Sequence, residues 1–109
     1  MKWKGLLITA LLLIPLVTFS QDLAQVQRDA EVGDAFAQFN LGFMYAKGQG
    51  VPQNFTEAYV WFSVAAASGD SGAVQDRDLL SKKPSAEALL AAQQRATKLF
   101  EEIEARKAK

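Results

Sequence analysis

Past residue 20 the apolar positions recur at intervals of three and four and do not alternate over any strand-length run, which predicts helices joined by short turns. The first helix is expected over Asp22–Val32, where Leu23, Val26 and Ala30 make a narrow apolar stripe. Gly33 stops it, and Asp34 is placed to cap the next helix. That second helix, Ala35–Lys47, carries two apolar arcs at about 100° per residue. Ala37, Leu41, Met44 and Tyr45 share one arc; Phe36, Phe39, Phe43 and Ala46 share the other. A helix apolar on two sides needs two neighbours, or a neighbour and a ligand.

Gly48-Gln49-Gly50 ends the second helix, with Gly48 suited to a left-handed cap and Pro52 stiffening the loop that follows. The third helix is predicted over Phe55–Ser68. Asn54 precedes it and Glu57 follows three residues later, the spacing of a capping box. Phe55, Ala58, Tyr59, Phe62, Ala65 and Ala66 keep helical spacing, and Gly69 closes the segment. Asp70 or Ser71 starts a fourth helix, roughly Ala73–Ser81, which Lys82-Lys83-Pro84 breaks. A last helix spans Ser85–Arg106, capped by Ser85, with Leu89, Ala92, Ala96, Leu99 and Ile103 in a 3-4-3-4 seam and Phe100 beside it.

The pair Gly33-Asp34 recurs as Gly69-Asp70, a separation of about 36 residues, which is the length of one solenoid unit. Between the copies lie a helix, a Gly-rich turn and a capped helix. This stretch, residues 33–69, resembles a Sel1-like repeat, a relative of the tetratricopeptide repeat with a longer loop between its helices. The positions in register are Ala35, Ala37, Gln38, Leu41, Gly42, Tyr45, Gly48, Gly50, Val51, Pro52, Glu57, Ala58, Trp61, Phe62, Ala65, Ala66 and Gly69. Ala73, Arg77-Asp78, Leu80, Lys83-Pro84, Glu87, Gln93 and Ala96 resemble the helical segment that often closes such arrays. Residues 22–32 resemble the second helix of a preceding, degenerate repeat. The resemblance implies an all-α, short α-solenoid of about five helices, with residues 71–106 as C-terminal capping helices.

Independently of the family, Gly42 is placed to let two helix backbones approach, opposite small Ala58 or Ala65. Trp61, Phe62, Tyr45, Leu41 and Met44 are the expected hairpin core. The resemblance also implies that the first helix of the repeat lines the concave surface where partners bind. Phe36, Phe39 and Phe43, with Asn40, are therefore the candidate partner-binding residues, as an apolar anchor for a peptide or helix. The competing reading is that flanking helices cover the stripe.

The N-terminal apolar run is of another kind. Lys2 and Lys4 precede Gly5–Phe19, and Thr18 and Ser20 are small residues set before a cut at Gln21, the three-part pattern of a secretory signal peptide over residues 1–20. The run is shorter than the roughly 20 residues that span a bilayer, and Pro15 interrupts it. Retention as an uncleaved anchor is the alternative. The mature domain would be residues 21–109, exported to the periplasm or secreted, with no stable membrane insertion after cleavage.

Composition removes several function classes. Twelve Lys+Arg balance twelve Asp+Glu, which argues against a nucleic-acid partner held by charge. With no Cys and no His, thiol nucleophiles, disulfides, imidazole bases and the common zinc sites are excluded, and no metal or cofactor is expected. Asp76 and Asp78, and Glu101, Glu102 and Glu104, are close in sequence, but carboxylates two apart on a helix point away from each other. Each set reads as a solvated face, with Asp78–Lys82 and Glu102–Arg106 as expected i,i+4 pairs. The basic end Arg106-Lys107-Ala108-Lys109 complements a helix dipole. Some Sel1-type proteins are linked to penicillin binding or hydrolysis, but that subclass is Cys-rich, and no Ser-x-x-Lys, G-x-G-x-x-G or phosphate-binding loop is present here.

The leading expectation is a non-catalytic, exported adaptor that binds a peptide or helix of an envelope protein. The alternative is a structural, self-associating subunit that uses an exposed Leu89–Ile103 seam; a hydrolase is the third reading. Export makes a direct prediction. Mass spectrometry of the protein from the envelope or medium should give a chain starting at or near Gln21, whereas intact Met1 in the membrane fraction would show that the segment is kept.

Overall fold

The computed structural model describes residues 22–109, and the expected signal peptide lies outside them. Among the described residues there are five helices and no strand: α1 Leu23–Glu31, α2 Ala35–Lys47, α3 Phe55–Ala67, α4 Ser71–Leu80 and α5 Ala86–Lys107. Each begins on a side chain that satisfies a free backbone N–H. Asp22 accepts from Ala24, Asp34 from Ala37, Asn54 from Glu57, and Ser85 from Ala88. The Asp70 carboxylate takes both Gly72 and Ala73, which starts α4 two residues earlier than its apolar pattern indicates.

The capping box at α3 is only half made. Asn54 accepts from the Glu57 N–H at 3.0 Å, but its own N–H donates to the Tyr45 carbonyl at 2.9 Å. The Glu57 carboxylate turns outward to pair with Arg95 of α5. The loop between α2 and α3 is thus folded back on α2. Gly48 sits at φ 70° and ψ 40° with its N–H on the Met44 carbonyl, and Gln53 donates to the Ala46 carbonyl at 2.9 Å. These bonds satisfy the exposed end of α2 and fix the hairpin angle.

α3 is the hub. Ala58, Tyr59, Val60, Trp61, Phe62, Val64 and Ala65 are all buried, so the helix is apolar nearly all round and requires neighbours on several sides. It packs against α2, α4 and α5, while α1 packs against α2. α2 meets α3 closely at Gly42. A Cβ built there would lie 2.8 Å from Cδ1 and 2.9 Å from Cε1 of Phe62. The residue opposite Gly42 is therefore an aromatic ring, not Ala58 or Ala65: the missing side chain makes room for the ring and so brings the helices together.

α5 runs alongside α3 in the same direction. Arg95 pairs with Glu57 near the start of α3, and Phe100 borders a cavity with Ala67 at its end. Beyond that, α5 reaches the α1–α2 corner. Ile103 is fully buried, and Ile103 and Lys107 lie against the turn at Gly33. Arg106 donates to the Glu31 carbonyl at 2.8 Å, so it serves the C-terminal end of α1 instead of pairing with Glu102. Asp78 likewise pairs with Arg77 and not with Lys82. Gln38, fully buried, donates to the Ala30 carbonyl at 3.0 Å, a second bond to the same end of α1.

The Gly42–Phe62 contact predicts its own mutational signature. Gly42→Ala should cost about 1–3 kcal/mol, because the buried ring cannot swing clear. Shortening the ring in Gly42→Ala/Phe62→Leu should recover part of that loss. Chemical denaturation checks both, and a double variant no better than the sum of its single variants would dissociate the two positions.

Candidate functional site

α2 presents one face to solvent, and its composition follows from the 3.6-residue period. Phe36, Asn40, Phe43 and Lys47 recur at intervals of four, three and four and fall on one line. Phe36 is 68% exposed and Phe43 is 40% exposed, while Asn40 is half-buried. The three phenylalanines predicted as one stripe therefore part company. Phe39 turns inward, half-buried, with its ring 5.5 Å from that of Phe62 at an interplanar angle of 52°. A tilted pair of this kind is a packing interaction, so Phe39 braces the face from beneath instead of belonging to it.

The C-terminal halves of α2 and α4 border a notch of about 190 Å³ lined by Phe43, Ala46, Lys47, Phe62, Asp76, Leu79 and Leu80. Phe62 comes from α3 between them and is 1% exposed, so it forms the floor. Leu79 is 65% exposed on the α4 wall. The Lys47 ammonium stands 5.7 Å from the centre of the Phe43 ring, within cation–π range. Asp76, expected only on a solvated face, lines the opposite wall. Lys47 was legible as an extension of the Phe36–Phe43 line; Leu79 and Asp76 were not, because nothing in the pattern of α4 states which side meets α2.

Apart from Phe62, the residues expected to build the repeat fall elsewhere. Ala37, Leu41, Ala58, Trp61, Phe62 and Ala65 are buried, and Tyr45 is half-buried. Gly48, Gly50 and Pro52 occupy the exposed loop, and Gly69 the turn after α3. The seam of α5 is covered: Ala92 and Ala96 are buried and Ile103 is inaccessible, while Leu89, Leu99 and Phe100 are half-buried against the core. The large apolar side chain that α5 leaves exposed is Leu90, off the seam, at 56%.

Two other depressions carry polar groups. One, among α3, α4 and α5, is bordered by Tyr59, Ser63, Arg77, Gln93 and Thr97. The other, between α1 and α5, holds Arg28, Glu31, Val32, Leu99 and Arg106. Neither brings carboxylates together as an acid/base pair, and among the described residues no group of three or more His, Cys, Asp or Glu converges as metal ligands. Among the same residues, no helix is long and apolar enough to cross a membrane.

Comparison with known proteins fits this geometry. No curated protein sequence matches the chain. The Sel1 repeat family matches residues 35–70, from the first residue of α2 to the cap of α4. Sel1 repeats generally mediate protein–protein interaction, and the family is typically non-catalytic. The α2–α3 hairpin that sets the exposed face thus coincides with the stretch that is similar to a Sel1 repeat, and helices flank it on both sides.

Proposed function

We propose that this protein is an exported, non-catalytic adaptor of the cell envelope that binds another protein through the face formed by α2 and α4. The observation that carries the reading is the exposure of Phe36, Phe43 and Leu79 on that face, while the Leu89–Ile103 seam is spent on packing. Large exposed apolar side chains grouped on one surface mark interaction sites more often than side chains scattered singly. The packing of that seam against the core supports this reading over the self-associating alternative, which called for an exposed seam. Export rests on the N-terminal pattern of Lys2, Lys4 and the short apolar run.

The fold supplies rigidity where an interaction face needs it. Phe62 beneath the notch is held by Gly42 and Phe39, so the floor is preformed and little order is lost on binding.

Stability and contact separate the roles of the phenylalanines. Phe36→Ala should leave the melting temperature within a few degrees, because the ring is mostly in water already, whereas Phe39→Ala should cost roughly 2–4 kcal/mol through loss of packing on Phe62. A photo-crosslinking residue placed at Phe36 or Phe43 in the native host should yield an adduct with another protein, and one at Leu90 should not. Equal labelling from all three positions, or none from α2, would remove the α2/α4 face as the binding surface.

A further inference from the structure

The notch between α2 and α4 says more about its occupant than that it is apolar. At about 190 Å³ it falls below the roughly 300–1,000 Å³ of sites that hold small molecules, and suits a single side chain. Its floor and walls, Phe62, Phe43, Ala46, Leu79 and Leu80, are apolar. Its two charges are of opposite sign and stand on opposite helices, Lys47 on α2 and Asp76 on α4. Among the described residues three ion pairs form, Arg77–Asp78, Glu57–Arg95 and Glu104–Lys107, and neither Lys47 nor Asp76 takes part in one.

The two other depressions described above lack this combination. In the one among α3, α4 and α5 the single cation, Arg77, is paired with Asp78. In the one between α1 and α5, Arg106 is spent on the Glu31 carbonyl and Arg28 on the Gln25 side chain. The α2/α4 notch keeps both charges available to a partner.

We infer that the notch receives one apolar side chain of a partner peptide, flanked by an acidic residue that meets Lys47 and a basic residue that meets Asp76. This rests on the α2/α4 face being the binding surface, and adds the order of charge along the partner. The apolar anchor supplies affinity; the two charges fix the direction in which the peptide lies, since reversal sets like charges against each other.

A random dodecapeptide display library panned on the purified protein tests this. The selected peptides should share a Leu, Met, Phe or Trp with an acid on one side and a base on the other. Leu79→Ala should weaken a selected peptide by about tenfold or more. The exchange Lys47→Asp/Asp76→Lys should weaken it by a similar factor and favour a synthetic peptide with its acid and base swapped. All these positions are on the surface, and circular dichroism should show each variant folded. If Leu79→Ala abolishes binding but the charge exchange changes nothing, the charge order is wrong and the binding face stands. Binding that survives Leu79→Ala, or a library that yields no binder, overturns the notch as a peptide site, while crosslinking from Phe36 judges the wider face separately.

Discussion

The ring of Phe62 against the bare backbone of Gly42 is the contact on which the rest of this molecule depends. With a Cβ at position 42 the ring would be less than 3.0 Å from it, so α2 and α3 hold their spacing only because that side chain is missing. The same ring receives Phe39 on one side and closes the floor of the α2/α4 notch on another. One buried aromatic thus sets the hairpin, decides which phenylalanine of α2 turns inward, and supplies the surface a partner side chain would meet. Interiors are close-packed, so a displaced ring is felt at all three places.

Around that contact the fold solves the general difficulty of a repeat with too few neighbours. α3 is apolar on nearly every side and is covered by α2, α4 and α5. α1 is short, and its C-terminal carbonyls need partners beyond the helix. The turn that follows supplies several, with Val32 donating to Arg28, Asp34 to Asp29 and Gly33 to Ala30, and two side chains add to them: Gln38 of α2 donates to Ala30, and Arg106 of α5 to Glu31. The end of α5 therefore closes the α1–α2 corner, tying the last helix to the first. The Glu57–Arg95 pair adds registry between α3 and α5, though an exposed pair of this kind contributes only about 0.2–1 kcal/mol.

The division between covered and open surfaces gives the functional reading its content. The α5 side is consumed by packing, with its small Ala92 and Ala96 set into α3. The α2/α4 side keeps Phe36, Phe43 and Leu79 in water beside two uncompensated charges. Leaving such residues exposed costs stability in a small domain, and the interaction proposed for that face would account for their placement.

The sequence by itself determined the helices, their caps and the repeat. Asp34, Asn54 and Ser85 cap where their spacing says they should, and Gly48 adopts the left-handed turn predicted for it, because these are local effects set by a residue and its next three or four neighbours. Tertiary structure decided everything that required knowing which helix lies opposite which. It put Phe62 and not an alanine against Gly42, sent Glu57 and Arg106 to distant partners, drew Phe39 out of the aromatic stripe, and brought Asp76 and Leu79 across from Lys47 and Phe43. Periodicity fixes the angle of a side chain about its own helix axis; what that side chain then meets depends on the rotation and approach of a second helix, which packing alone sets.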